Sequence, residues 1–186
     1  MTEWDPLRVE YTTVTELTDF ITYAIESISL GFDRWGQEYV RGPGLYFVVV
    51  TGVHSGQYAD PLGENTWPTE TCRVVTDDLD RFVEAARTVG LTRDGAVIIS
   101  TDGTIQKQMV RIKSQSDTDT EAASTTVNYA DWMGTKHVSV IKVSVREEVV
   151  AAITLSEENG RMSLFEDGDY DDYQRDELGG VWRPAG

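Results

Sequence analysis

Arg93-Asp94-Gly95-Ala96-Val97-Ile98-Ile99-Ser100-Thr101-Asp102-Gly103-Thr104 is the stretch on which the reading of this chain turns. Val97, Ile98 and Ile99 form a β-branched apolar run suited to the middle of a sheet, where stiff side chains pack well on a pleated surface. Thr101-Asp102-Gly103-Thr104 then supplies a turn in which Gly103 can take positive φ without a Cβ clash. The pattern predicts a buried strand from Ala96 entering a hairpin, with Ile105 to Ile112 as the returning partner. Asp94 stands at the strand's entrance, followed by Gly95 and Ala96. Side chains this small let a ligand or another stretch of backbone come close beside a carboxylate. Asp-Gly-Ala also reads plainly as a turn into a strand, so its weight depends on the rest of the chain.

Upstream, Thr13-Val14-Thr15-Glu16 has the spacing of a capping box. Leu17, Phe20, Ile21, Ala24 and Ile28 follow at helical intervals, predicting an amphipathic helix broken near Gly31. Phe32, Trp35, Tyr39 and Val40 keep that rhythm until Gly42-Pro43-Gly44, which predicts a helix pair or a kinked helix. Those glycines precede a strand instead of following one, so they make no dinucleotide fingerprint. Leu45 to Thr51 is apolar along nearly its whole length, as for a strand covered on both faces. Gly52 to Thr71 reads as a long polar loop anchored by Tyr58 and Trp67. His54 lies in it without a carboxylate or cysteine at ligand spacing, which favours an exposed histidine over a metal ligand. Thr76 is expected to cap a helix with Asp77 and Asp78 in its first turn, Leu79, Phe82, Val83 and Ala86 on one face, and Gly90 at its end.

Downstream, Ser114 to Thr126 is rich in Ser, Thr and Asp and reads as a surface excursion, or a flap over a site. Helical spacing from Gly134 runs through Val138, Ile141 and Val145. Val149 to Leu155 is a buried strand, Glu158-Asn159-Gly160-Arg161 a tight turn, and Met162 to Phe165 the strand that closes a second hairpin. This order predicts an α/β or α+β single domain, one mixed central sheet covered by helices. In the acidic tail, Asp167, Asp169 and Asp171 imitate a calcium loop. Asp172 and Leu178 stand where that loop requires Gly and Glu, so a solvated tail pinned by Trp182 is the better reading.

At 186 residues and 40% hydrophobic, the chain can bury a core without disulfides or structural metal. Its single cysteine, Cys72, is read as a small buried hydrophobe ahead of a reactive thiol, and such cysteine usage favours the cytoplasm. Sixteen Lys and Arg against 32 Asp and Glu give a net charge of −16. A field of that sign repels a phosphate backbone and excludes general nucleic-acid binding. Dispersed carboxylates also suit a high-salt, halophilic interior, where ions screen the self-repulsion. No early run is apolar enough for a signal peptide or a membrane span. Walker loops and G-x-S-x-G elbows are absent.

Asp94-Gly95-Ala96 at a strand start, Gly134-Thr135-Lys136-His137 at a helix start and Leu155-Ser156-Glu157-Glu158-Asn159-Gly160-Arg161 at a strand end carry a family likeness. In the same order, they resemble the D-G-A, G-T/A-R-H-R and V-S-E-E-T-G motifs of the diadenylate cyclase (DAC) domain, most closely in its short archaeal members. The resemblance covers residues 31–169, leaving residues 1–30 as an N-terminal helix and 170–186 as an acidic tail. It implies a DAC-like nucleotide-binding domain that condenses two ATP into cyclic di-AMP with release of pyrophosphate. It also implies Mg²⁺ or Mn²⁺ and a face-to-face homodimer or higher homo-oligomer. Under it, Asp94 is catalytic, serving the metal and the 3′-hydroxyl, while Gly95 and Ala96 let the nucleotide close. Lys136 and His137 are also catalytic under it, holding phosphates together with Gly134 and Thr135, while Ser156 completes those contacts and Glu157 joins Asp94 on the metal.

The residue types suit that chemistry, in which a hydroxyl must lose a proton and a polyphosphate leaving group must be neutralised. Lys136-His137-Val138 stands where the family writes Arg-His-Arg, which exchanges one guanidinium for a point charge and removes the second cation. Met109 replaces a family glycine and is expected to crowd the adenine. Without its motif, His137 reads as a helix-terminal histidine packed locally. The alternative function is a weakened DAC-like protein that binds ATP or cyclic di-AMP as a sensor or regulatory partner, and a third is a structural partner of an active cyclase.

Overall fold

The computed structural model describes residues 6–51, 59–113 and 135–179, with side chains from 14 onward in the first segment and from 138 onward in the last. It is a mixed α+β single domain. Strands β1 (Leu45–Val50), β3 (Val97–Ser100), β5 (Val149–Leu155), β6 (Met162–Glu166) and β7 (Asp169–Tyr173) form one sheet in the order β3-β1-β5-β6-β7. β1 and β3 run parallel and the other pairs antiparallel. β2 (Ala59–Thr66) and β4 (Gln108–Ile112) make a separate antiparallel pair. Helices α1 (Pro6–Gly31) and α2 (Leu79–Thr92) cover one face of the main sheet, and α3 (Thr135–Ser144) packs on the other.

β1 explains the layering. Phe47 and Val49 join the α1–α2 core while Val48 and Val50 join the α3 core, so both faces of the strand are buried and its sequence has no polar alternation. Phe47, Trp67 and Phe82 meet at centroid distances of 5.6 to 5.9 Å, and the Trp67 indole donates to the Cys72 carbonyl at 2.7 Å. Cys72 is buried and burial pushes its thiol pKa up, as befits a packed hydrophobe.

Several expectations are corrected here. The supposed capping box at Thr13 to Glu16 lies inside α1, which begins at Pro6, a residue suited to a first helical turn because its missing N–H has no partner there anyway. The apolar stripe itself holds, with Leu17, Ile21, Ala24, Ile25 and Ile28 buried. Residues 32–44 form turns instead of a second helix. Trp35 folds back, donating from Nε1 to Ser29 O at 2.9 Å and packing on the Phe32 ring, with positive φ at Gly36 and Tyr39. Their helical spacing therefore reflects aromatic anchoring of the α1 end.

The predicted loop from Gly52 to Thr71 contains β2, whose polar sequence and Pro61 hid a strand with half its residues exposed. His54 and Tyr58 lie outside the described residues. The α2 N-cap is Asp78, whose carboxylate accepts from Arg81 N at 3.1 Å, and not Thr76. Gly90 does not end α2. It lies inside the helix, where an added Cβ would come within 3.0 Å of the Pro43 side chain, so the glycine admits close packing against the start of β1. β4 belongs to the second sheet, and the predicted return from β3 survives as isolated bridges at Ile99–Ile105 and Ala96–Val110. Gly103 has φ +90, and its N–H donates to Ser100 O at 2.8 Å, closing the predicted turn.

The acidic segment Asp169–Tyr173, expected to be solvated, is the edge strand β7. Asp172 accepts from Ser163 Oγ at 2.9 Å and pairs with Arg161 at 3.0 Å, which ties the acid into the sheet. A 3-10 turn at Arg175–Glu177 follows, and Arg175 Nε donates to Ser29 O at 3.2 Å near the end of α1. Trp182 and Ser114 to Thr126 lie outside the described residues. No helix among the described residues is long and apolar enough to cross a membrane.

Candidate functional site

Strand register brings the motifs to one end of the sheet. Phe47 pairs with Val97 at the start of the parallel β1–β3 ladder, so both strands enter the sheet at the same end, with Asp94 just ahead of β3. Leu45 pairs with Leu155 in the antiparallel β1–β5 ladder, so Ser156 stands level with Gly44. Asp94, Gly44 and Ser156 thus lie at one end of three adjacent strands, although Asp94 and Ser156 are far apart in sequence.

The Asp94 side chain is exposed and its Oδ1 accepts from Gly95 N at 2.9 Å, while Asn65 Nδ2 donates to the Asp94 carbonyl at 3.1 Å. Gly95 has φ +116. An added Cβ there would lie 2.8 Å from Leu62 Cδ2 and 3.2 Å from the Val110 carbonyl oxygen. The close approach that Gly95 permits is therefore that of β2 and β4 of the same chain. Ala96 is buried and bridges Val110 through paired backbone hydrogen bonds of 2.8 and 3.0 Å.

At the other side of the edge, the β5–β6 hairpin carries Ser156 and Glu157. Ser156 N donates to Arg161 O at 2.9 Å, and Gly160, at φ +73, donates to Ser156 O at 3.0 Å. Ser156 Oγ accepts from Glu158 N at 3.3 Å. The Glu157 carbonyl accepts from Gly42 N at 2.9 Å and its carboxylate lies 3.7 Å from the exposed Arg41 guanidinium. A Cβ on Gly44 would meet Glu157 Cβ at 3.1 Å. Arg41 and Gly44 were missed from the sequence, because Gly42-Pro43-Gly44 reads there only as a helix stop.

The backbone of Thr135, Lys136 and His137 opens α3, as the sequence predicts. Gly134 and the side chains of those three residues lie outside the described residues. Met109 is buried in the α1–α2 core, on the opposite side of β4 from Val110 and Ala96. The expected crowding at the Asp94–Ala96 end is thereby corrected, since this side chain fills the core behind the sheet.

Asp94 and Glu157 offer carboxylate oxygens of the class that Mg²⁺ and Mn²⁺ take. Among the described residues no three His, Cys, Asp or Glu side chains converge on one point. Such a donor set fits an ion that completes its shell with water and substrate phosphate better than one held in an all-protein cage.

No protein-family model matches the sequence, and no curated protein matches it. Among solved structures, the chain is similar to a hypothetical membrane spanning protein from Bacillus cereus, with a TM-score of 0.55 and 17% identity over 84% of this chain and 63% of that one. It therefore spans less than two thirds of that protein's length. It is also similar to a double mutant of DacA from Staphylococcus aureus, with a TM-score of 0.47 and 15% identity over 87% of this chain and 89% of that one. The first of these likenesses shows a shared fold and nothing further.

Proposed function

We propose that this chain is a diadenylate cyclase, joining two ATP into cyclic di-AMP with release of pyrophosphate. The observation that supports the reading is the strand order β3-β1-β5, which puts the entry to β3, where Asp94 stands, and the exit from β5, where Ser156 and Glu157 stand, at one end of the sheet. Asp94 orients the 3′-hydroxyl of one nucleotide and takes part in its deprotonation. Ser156 and the first turn of α3, with Lys136 and His137, hold the phosphates. Asp94 and Glu157 would hold Mg²⁺ or Mn²⁺, which when bound supplies charge neutralisation on the phosphates. Each domain brings one ATP, so two copies face each other for one product.

The test is incubation of the purified chain with ATP and Mg²⁺ or Mn²⁺ at low and molar salt, with mass spectrometry for cyclic di-AMP. Product from the native chain and at least about a hundredfold less from Asp94→Asn supports the enzyme, since loss of one transition-state contact has that scale. The rate should rise faster than linearly with protein concentration below the dimer dissociation constant. Equal rates for the native chain and Asp94→Asn overturn the assignment. A second reading is favoured by Val138, which replaces a family arginine in the first turns of α3: the chain binds ATP or cyclic di-AMP as a sensor. Tight nucleotide binding without product selects it.

A further inference from the structure

The segment that enters β1 is fastened to the hairpin that leaves β5. Gly42 N donates to the Glu157 carbonyl at 2.9 Å, and Gly44 N donates to the Gly90 carbonyl of α2 at 2.9 Å. Gly42 and Pro43 are buried. A Cβ on Gly42 would fall inside the Trp35 ring, and the indole of that ring is tied to Ser29 O at the end of α1. The backbone next to Arg41 is therefore held from both sides, by Trp35 and by the hairpin that carries Ser156 and Glu157. Its side chain is held much less. The Arg41 side chain is 84% exposed, and its guanidinium lies 3.7 Å from a Glu157 carboxylate that is itself 40% exposed, with no hydrogen bond among the described residues. Both groups face open solvent, so a ligand arriving at this end of the sheet has room to reach them.

An ion pair this long and this exposed adds little to stability, because water screens it and two flexible side chains must be ordered to make it. Arg41 can leave Glu157 at small cost. The surroundings are otherwise acidic, with Asp94 and Glu158 exposed at the same end and a net charge of −16 on the chain. A polyphosphate brought here would be repelled unless a fixed cation met it. A guanidinium is suited to that task, since its planar fork grips two phosphate oxygens at once, a stronger contact than one distant carboxylate oxygen.

We propose that Arg41 binds a phosphate of the nucleotide, turning from Glu157 to the ligand. The proposal rests on the nucleotide reading of the site formed by Asp94, Ser156 and Glu157. It adds to that site a cation supplied by the entry to β1, on a backbone anchored to the hairpin. The exchange also leaves the Glu157 carboxylate free for the ion assigned to it above.

The test measures binding of ATP and of adenosine to the native chain, Arg41→Gln and Arg41→Lys at low ionic strength, with Mg²⁺ and again in EDTA, together with Tm. Arg34→Gln, which removes an exposed charge from the same loop, serves as the control for net charge. Arg41→Gln should weaken ATP by about tenfold or more in both conditions, the scale of a lost charge-assisted hydrogen bond. Arg41→Lys should recover part of the loss, because it keeps the charge without the fork. Adenosine should bind every variant equally, and Tm should stay within about 1 °C. Unchanged ATP affinity in Arg41→Gln, an equal loss with adenosine, or an equal loss in Arg34→Gln overturns the proposal while leaving the nucleotide site standing. A loss seen with Mg²⁺ and not in EDTA means that Arg41 acts only through Glu157, and overturns it as well. Absence of ATP binding by the native chain removes the nucleotide reading and this assignment with it.

Discussion

On the side of the sheet covered by α1 and α2, Phe47, Trp67 and Phe82 interlock, and the Trp67 N–H is paired with a carbonyl. On the side covered by α3, Val48, Ile98, Ala152 and Phe165 form a second cluster, and beside it stand Tyr46 and Thr154, whose hydroxyls have no hydrogen-bond partner among the described residues. The first face is optimised for packing, with large side chains fully buried. The second combines packing with buried polar atoms that have no hydrogen-bond partner among the described residues, a feature that lowers stability. The difference teaches that one sheet carries a fully paired aromatic core on one face and a less completely satisfied core on the other, with β1 common to both.

The sharpest break of that comparison is Phe82→Ala. Removing a fully buried ring from the aromatic cluster should cost about 3–5 kcal/mol, read by urea unfolding. ATP affinity of the folded fraction should stay as in the native chain. If affinity falls in parallel at temperatures well below Tm, the faces are not independent. Gly95→Ala probes the border between them. Positive φ together with the contacts to Leu62 and the Val110 carbonyl should cost about 1–3 kcal/mol, and Leu62→Ala should return only part of it. Native stability combined with lost activity would instead assign the space at Gly95 to a ligand.

Lys136→Ala should act on the other side of the divide. Loss of a charge-assisted phosphate contact should lower kcat/KM by about tenfold, with Tm unchanged within about 1 °C, and Lys136→Arg should hold or raise turnover. If turnover is unchanged while His137→Ala unfolds the protein, the start of α3 is structural.

The smallest effect concerns Glu166, whose pKa is raised by burial and then by the neighbouring Asp171. A raised carboxyl binds its proton more tightly in the folded chain than in the unfolded one. Its contribution is therefore present at low pH and lost as pH rises through the window between its unfolded and folded values. Glu166→Gln stays neutral throughout, so its Tm should match the native chain's in acid and exceed it slightly at neutral pH. A gap that narrows with rising pH would contradict that sign.

The elements readable from local pattern are those whose burial is uniform. β1, β3, β5 and β6 are apolar runs because neighbouring strands or helices cover them, and α1 and α2 show their stripes because one face of each meets the core. β2 and β7 were hidden, since Ala59–Thr66 and Asp169–Tyr173 are polar strands recruited by pairing with β4 and β6. Their propensity alone favours turns, and tertiary pairing overrides it. At the candidate site, Asp94, Gly95, Ala96, Ser156 and Glu157 were legible as motifs. Arg41 and Gly44 were not, because nothing in their local neighbourhood distinguishes them from a loop.

The amino-acid sequence by itself determined the mixed α+β class, the buried strands, the glycine turns at Gly103 and Gly160 and the small-residue step after Asp94, all set by side-chain shape and solvent transfer over a few residues. Tertiary structure alone decided that Asp94 and Ser156 come to the same end of the sheet and that Met109 faces away from Ala96. The physical reason is that strand register is settled by which faces are buried and by the backbone bonds between distant segments, and a shift of one residue would turn every side chain to the opposite face.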